Sequence, residues 1–108
     1  MKEIKAIIQP NKLNRIRDAF RELGGFPGMT VAKVQGCSEH LGIEQHQSIR
    51  DELTDFSGKI RIELIAPDEI VPQILQIIHS NAYTGQKGDG ILWVTEVVDF
   101  YRLCKPMN

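Results

Sequence analysis

The order strand, helix, strand occurs twice along the chain, and this duplicated order restricts the possible folds more than any single motif. Four segments rich in apolar and β-branched residues predict strands: residues 3–9, 29–35, 59–64 and 91–98. Two segments with apolar residues at three- and four-residue spacing predict amphipathic helices: residues 13–23 and 68–82. Asn11 and Asp68 are the predicted N-caps of these helices. Residues 100–103 are predicted as a short added strand.

Two consecutive strand–helix–strand units predict an α+β, ferredoxin-like βαββαβ sandwich. Its sheet would have four antiparallel strands, with both helices on one face. The other face would expose isoleucine and valine, and self-association is the simplest way to cover it. With 108 residues the chain has the size of one domain, so we assign residues 1–108 to a single domain.

The overall composition argues against several classes of protein. A net charge of −1 provides no global field that would attract nucleic acid or an anionic membrane. No apolar run approaches the length of a membrane span, and the first residues lack the features of a signal peptide. Cys37 and Cys104 are too few for a disulfide framework. We therefore expect a cytoplasmic protein with reduced thiols, no nucleic-acid partner and no direct membrane insertion.

Between the two units, residues 36–58 show neither helical nor strand periodicity. A loop of this length inside a domain is uncommon and is usually functional or disordered. Zinc and copper take histidine, cysteine and carboxylate ligands. Four possible ligands, Glu39, His40, Glu44 and His46, lie within eight residues of this loop and next to Cys37, and His40, Glu44 and His46 are the candidate metal ligands. Their spacing matches no familiar metal site. A solvated polar loop is the simpler interpretation, and a metal site is the alternative.

Residues 84–90, with the sequence Thr-Gly-Gln-Lys-Gly-Asp-Gly, connect the second helix to the last strand. Glycine allows the backbone to take positive φ angles and to approach a ligand closely. Consecutive N–H groups in such a turn can bind an anion, and Lys87 adds a positive charge. A plain helix-to-strand connection would use the same glycines. The local pattern therefore leaves both a turn and a phosphate loop open.

The chain resembles the PII signal-transduction family over nearly its whole length. The segments that carry this resemblance are residues 5–13, 28–31, 59–63, 67–71 and 84–90. The last of them closely matches the family's C-terminal signature. The length, the order of strands and the position of the long loop agree as well.

The resemblance implies a ferredoxin-like homotrimer that binds ATP or ADP, and in many members also 2-oxoglutarate, in clefts between neighbouring subunits. The nucleotide would set the shape of the long loop (the T-loop, residues 36–58). That loop would dock on a membrane transporter or a regulated enzyme. The glycine stretch would be the phosphate-wrapping loop (the B-loop, residues 83–90), followed after the last strand by a C-terminal segment, residues 99–108. The resemblance implies a regulator and not an enzyme, and no Ser/His/Asp or Cys/His arrangement has motif support here.

Family site residues carry over to this chain position by position. The resulting predicted nucleotide-binding residues are Thr30, Gly36, Lys59, Gly85, Gly88, Asp89, Gly90 and Arg102. Lys87 is added to this set for a different reason, because a lysine between glycines at a cleft has little structural purpose. Within this set, Thr30 corresponds to a residue near the adenine. Gly36 and Lys59 correspond to the residues that open and close the T-loop, and Arg102 corresponds to one of two C-terminal arginines.

The chain also departs from the family pattern. The lysine that usually follows the last B-loop glycine is Ile91, and the second arginine is Cys104. His40 stands in place of the glutamine that helps to hold 2-oxoglutarate and its magnesium ion. Because charge-assisted bonds hold phosphate groups, we expect nucleotide binding that is weaker or shifted toward ADP or AMP. The same departures weaken the case for magnesium and 2-oxoglutarate. The alternative function is a metal-tolerance or metal-sensing trimer of the same fold.

Overall fold

The computed structural model describes residues 1–37 and 56–107. In chain order the described elements are β1 (Lys2–Ile8), a 3-10 turn (Pro10–Lys12), α1 (Leu13–Arg21), β2 (Thr30–Gly36), β3 (Ser57–Ala66), a second 3-10 turn (Asp68–Ile70), α2 (Val71–Ala82) and β4 (Gly90–Glu96). The strands form one sheet in the order β2-β3-β1-β4, and each neighbouring pair is antiparallel. The ferredoxin-like sandwich predicted from the duplicated order is confirmed.

The register of β1 separates the two faces of the sheet. Ile4, Ala6 and Ile8 are buried on the helix-covered face, and the residues between them point to the opposite, open face. Lys5 on the open face pairs with Glu63 of β3 and Trp93 of β4. Because side chains alternate along every strand, this register assigns each residue of the other strands to a face.

The core lies between the sheet and the two helices. Its buried members are Ile4, Ala6, Ile8, Ile16, Phe20, Ile60, Ile62, Leu64, Ala66, Val71, Ile74, Ile78 and Ala82. Helix α1 contributes Ile16 and Phe20, one turn apart, and Phe20 stacks on Phe26 with ring centroids 4.9 Å apart. Each fully buried side chain of this size contributes about 1.5–3 kcal/mol relative to exposure. The core therefore holds the sheet at a fixed orientation to α1 and α2.

Both predicted helix caps are wrong. Asn11 lies inside a 3-10 turn whose cap position is Gln9, and Asp68 lies inside the second turn, which Pro67 precedes. In each case a proline lies at or just before the first residue of a 3-10 turn, and this turn precedes the α-helix. The predicted cap residue therefore lies within the turn and not at the N-cap of the α-helix. The Asp68 carboxylate instead accepts a hydrogen bond from the N-terminal ammonium group at 3.0 Å, which lowers the pKa of Asp68.

The strand predicted at residues 100–103 is also wrong, because the segment has no strand pairing. The Val97 N–H donates to the carbonyl of Met1, the first residue of the chain. The chain then leaves the sheet, and Arg102 Nη2 donates to the Pro27 carbonyl at 3.3 Å.

The open face of the sheet is more polar than predicted, since the sequence indicated a face of exposed isoleucine and valine side chains. Arg61 Nε contacts Glu63 Oε1 at 2.6 Å, and Lys5 Nζ lies 3.8 Å from Glu3 Oε1. The apolar side chains that share this face include Ile7, Ile65, Ile91 and Trp93. A surface that mixes ion pairs with apolar side chains is typical of protein interfaces as well as of solvent-exposed sheets.

Across residues 1–37 and 56–107, no helix has the length and apolarity that crossing a membrane requires.

Candidate functional site

A cleft of about 820 Å³ lies on the open face where the sheet meets the B-loop. We call it the loop cleft. Its walls come from the end of β2, the start of β3, the B-loop and the start of β4. The residues that line it include Gly36, Cys37, Lys59, Arg61, Lys87, Gly88, Gly90 and Ile91.

Strand pairing brings these distant parts of the chain to one end of the sheet. Ile8, at the end of β1, pairs with Ile60 near the start of β3 and with Gly90 at the start of β4. Gly36, at the end of β2, pairs with Ser57 at the start of β3. The two ends of the T-loop and the exit of the B-loop therefore lie side by side, although Gly90 is more than thirty positions from either end of the T-loop in sequence.

The B-loop is closed by the side chain of Asp89. Its carboxylate accepts hydrogen bonds from the Thr84 N–H at 2.7 Å and from the Gly85 N–H at 3.0 Å, and the Thr84 hydroxyl donates to the same group. The Thr84 side-chain hydrogen bond is the largest of several bonds that lower the pKa of Asp89. The Asp89 N–H itself donates to the Gln86 carbonyl at 3.3 Å. In this conformation the N–H groups of Gly85 and Asp89 are used within the loop.

Three B-loop glycines have backbone angles that other residues rarely adopt. The φ angles are +84° at Gly85, +99° at Gly88 and +120° at Gly90. The Gln9 side-chain amide donates to the Gly88 carbonyl at 2.7 Å, which ties the loop to the end of β1. Gly88 and Gly90 line the loop cleft, so their backbone can approach a bound group without a side chain in the way.

Three cationic side chains line the loop cleft: Lys59, Arg61 and Lys87. Arg61 donates from its Nε to Glu63 and carries further N–H donors on its two terminal nitrogens. Within residues 1–37 and 56–107, neither Lys59 nor Lys87 forms an ion pair. Cations beside a glycine-turned backbone are the chemistry that holds phosphate groups. The cleft therefore suits an anionic ligand.

A second cleft, of about 330 Å³, lies at the other end of the open face. Thr30 and Arg102 line it together with Gly28, Met29 and Phe100. The Arg102 guanidinium carbon lies 5.2 Å from the centre of the Phe100 ring. An aromatic ring, a guanidinium group and a hydroxyl side chain can bind a flat polar ring by stacking and hydrogen bonding.

The predicted site residues therefore divide into three groups. Gly36, Lys59, Lys87, Gly88 and Gly90 line the loop cleft, Thr30 and Arg102 line the second cleft, and Gly85 and Asp89 brace the B-loop. Thr30 pairs with Glu63, which is four residues from Lys59 along β3. At about 3.3 Å per residue, the two clefts are roughly 13 Å apart along the strands. One chain alone does not unite the two sets, and the roles of these residues remain predictions.

The candidate metal ligands His40, Glu44 and His46 lie outside the described residues. The described ranges, 1–37 and 56–107, contain no group of three or more histidine, cysteine, aspartate or glutamate side chains suited to a metal ion.

Arg61, Cys37 and Gln9 lie beside the B-loop, although the sequence did not predict them there. The alternation over residues 59–64 was the signal that could have identified Arg61, because it places residues 59 and 61 on one face. No local signal indicated Gln9, since its partner Gly88 is 79 positions away.

Asp89→Asn is expected to loosen the B-loop. The substitution removes the charge from the group that accepts bonds from Thr84 and Gly85, and charge-assisted bonds are the stronger ones. Exchange of the Thr84 and Gly85 amide hydrogens should become severalfold faster, as measured by NMR. Asp99→Asn, at an exposed position with no described hydrogen bond, is the matched control. Unchanged exchange in the Asp89 variant would show that the carboxylate does not hold the loop.

The same contact predicts a dependence on pH. Because folding lowers the pKa of Asp89, its stabilising effect is present above its ordinary pKa of about 3.9. The effect is lost as the pH falls through the lowered, native value. Exchange of the two amides, corrected for intrinsic rates, should therefore rise in acid in the wild-type protein and show no such step in Asp89→Asn.

The fold and this site define a ferredoxin-like α+β domain with an anion-suited cleft between a glycine-rich loop and the ends of a long connecting loop. Comparison with known proteins assigns the chain to a family within this class of domain. Residues 1–105 match the family model described as "Nitrogen regulatory protein P-II". The chain therefore belongs to the P-II family and is a PII-like signalling protein.

Curated relatives agree with this assignment over almost the full chain. The protein named "Nitrogen regulatory protein P-II 2" of Methanothermobacter thermautotrophicus is 39% identical over 103 residues, which cover 95% of this chain and 89% of the relative. "Nitrogen regulatory protein P-II 1" of the same organism is 37% identical with the same coverage. "Nitrogen regulatory protein P-II 1" of Escherichia coli is 38% identical, covering 95% of this chain and 91% of the relative.

Proposed function

We propose that the protein is a trimeric sensor of adenine nucleotides that regulates a partner transporter or enzyme through its T-loop. The observation that carries this proposal is the convergence of Lys59, Arg61 and Lys87 on one cleft with the backbone of Gly88 and Gly90. A hydrogen bond to a charged group is worth about 1.5–3 kcal/mol, so a few such contacts give useful affinity for a polyphosphate.

The separation of the two clefts supports binding between subunits. The loop cleft offers groups for phosphates, and the second cleft offers Thr30, Phe100 and Arg102 for a base. A neighbouring copy would bring its second cleft against the loop cleft and complete the site. The open sheet face, with its mixture of ion pairs and apolar side chains, is the surface available for that assembly.

The position of the T-loop supports its role as the output of the sensor. Gly36 and Cys37 at one end of the loop and Lys59 at the other end line the loop cleft. A ligand that contacts these residues would change the relative free energies of T-loop conformations, because it binds them with different affinities. The relatives are named for nitrogen regulation, and we extend that process to this chain as part of the proposal.

Titration calorimetry with AMP, ADP and ATP tests the nucleotide part of the proposal. We expect saturable binding at sub-millimolar concentration for at least one of the three, and guanosine nucleotides serve as the comparison for base selectivity. Absence of binding to all three at millimolar concentration would refute the sensor. Analytical ultracentrifugation tests the trimer separately, and a monomer at micromolar concentration would contradict binding between subunits.

The alternative, a metal-tolerance or metal-sensing trimer, has its candidate ligands outside the described residues. Zinc and copper titrations of the wild-type protein, with His40→Ala and His46→Ala as variants, test it. Tight metal binding that both substitutions abolish, without any nucleotide binding, would favour this alternative over the nucleotide sensor.

A further inference from the structure

Each of the two clefts has one cysteine beside it. Cys37 lines the loop cleft, directly after Gly36 at the end of β2. Cys104 comes two residues after Arg102, which lines the second cleft. The Lys105 N–H donates to the Arg102 carbonyl at 3.0 Å, so Cys104 lies in a tight turn just beyond that arginine. Both cysteines are free thiols on the surface of the chain.

The two cysteines of one chain are too far apart to react with each other. The second cleft includes Thr30, and Gly36 lies six residues further along β2, which corresponds to about 20 Å. Cys104 is two residues beyond Arg102, and two residues span at most about 7 Å. A disulfide requires Cα atoms within about 7 Å of each other. A disulfide between these two positions would therefore need two chains.

The segment that carries Cys104 exposes apolar side chains that a second chain would cover. Val98 and Leu103 are 93% and 100% exposed, and Tyr101 and Met107 are exposed as well. Exposed apolar side chains grouped in this way mark a contact surface. The turn that holds Cys104 is therefore part of the surface available to a neighbouring subunit.

We propose that Cys37 of one subunit and Cys104 of the next form a reversible disulfide when a peroxide is present. The inference rests on the proposed binding between subunits, in which the second cleft of one copy meets the loop cleft of the next. Each subunit offers one cysteine to each neighbour, so a closed ring of three contains three such pairs. The disulfide joins the start of the T-loop to the next subunit and restricts the conformations of that loop.

The reaction needs only the two thiols and the peroxide. One thiolate attacks a peroxide oxygen, the O–O bond breaks, and the products are a sulfenic acid and a hydroxide that takes up the thiol proton as water. The second thiolate attacks the sulfenic sulfur, the S–S bond forms, and the sulfenic hydroxyl leaves as a second water. Two thiols thus lose two electrons to one peroxide. A dithiol such as dithiothreitol reverses the bond by thiol–disulfide exchange.

Non-reducing gel electrophoresis after treatment with hydrogen peroxide tests the inference. Dilute wild-type protein is oxidised, and its remaining thiols are alkylated before denaturation. We expect most chains in covalent dimers and trimers, which dithiothreitol returns to monomers. Mass spectrometry of the digested bands should show the Cys37 peptide joined to the Cys104 peptide. Oxidation in urea, which separates the subunits, should remove the trimer band.

Two serine variants identify the pair. Cys37→Ser and Cys104→Ser each leave one cysteine per chain, and neither is expected to cross-link when it is alone. Co-expression of the two variants allows mixed assemblies, in which Cys37 of one chain can meet Cys104 of another. Covalent dimers should then form, but covalent trimers should not, because each chain has a single thiol. Analytical ultracentrifugation of each reduced variant checks that it still assembles.

The outcomes distinguish this inference from the proposed function. Wild-type protein that is a trimer by ultracentrifugation but gives only monomers after oxidation would overturn the inference and leave the nucleotide sensor intact. Cross-linked dimers in either variant alone would also overturn it, because like cysteines would then be reacting. So would a monomer band that contains the Cys37–Cys104 linkage, since both thiols would belong to one chain. A wild-type monomer by ultracentrifugation would contradict both the disulfide and binding between subunits.

Discussion

Gly90→Ala is expected to lower the free energy of unfolding by about 3 kcal/mol or more. A Cβ atom at this position would lie 1.9 Å from the Ile7 carbonyl oxygen and 3.0 Å from its carbon. Both are backbone atoms of β1, so no side-chain rotation relieves the overlap. The φ angle of +120° adds strain for any residue with a side chain. The start of β4 would have to separate from β1, and the B-loop exit would move with it.

Urea denaturation at matched protein concentration measures this loss, because stability of an oligomer depends on concentration. Gly58→Ala is the matched control on a strand of the same sheet, because its new methyl group would have nothing within 4 Å and its φ is not positive. It should change stability by less than about 1 kcal/mol. Gly88→Ala, with positive φ but only one contact at 3.5 Å, should cost about 1–2 kcal/mol. A Gly90→Ala protein as stable as Gly58→Ala would contradict the steric account.

Lys59→Glu is expected to weaken nucleotide binding by about 100-fold or more while the protein stays folded. Loss of a charge-assisted contact alone corresponds to roughly 10- to 150-fold. The new carboxylate adds repulsion between like charges. Lys59 lies on the partly exposed open face and not in the core, so the substitution leaves the packing between the sheet and the helices intact. Titration calorimetry with the nucleotide that binds the wild-type protein most tightly provides the measurement.

Lys33→Glu is the matched control for this prediction. Lys33 of β2 pairs with Ile60 of β3, the residue next to Lys59, so it lies at the same end of the sheet but on the opposite face from Lys59. The change in net charge is identical. If both variants lose affinity equally at physiological salt, the effect comes from the general field and not from a contact in the cleft. Full affinity in Lys59→Glu would show that the loop cleft is not the nucleotide site.

The predicted fold agrees with the structure because strong local patterns determine it. Strict alternation over residues 59–64 and apolar spacing in the two helices are present in the sequence itself. Pairing with the neighbouring strands extends β3 to Ser57–Ala66, beyond the alternating segment. Ser57 pairs with Gly36 of β2, and Ala66 pairs with Lys2 of β1. The predicted caps at Asn11 and Asp68 are wrong because a 3-10 turn precedes each α-helix: Pro10 is the first residue of one turn, and Pro67 immediately precedes the other.

The sequence by itself determined the two strand–helix–strand units, the glycine-rich B-loop and the lysine within that loop, Lys87. These features depend on residues close together along the chain. Only the tertiary structure decided that Gly90 lies against the Ile7 carbonyl, that Arg61 joins Lys59 and Lys87 in one cleft, and that Thr30 and Arg102 lie roughly 13 Å away. Each of these depends on strand register or on the path of the chain beyond the sheet. Register brings together residues more than fifty positions apart, and a shift of one residue would turn every side chain to the other face.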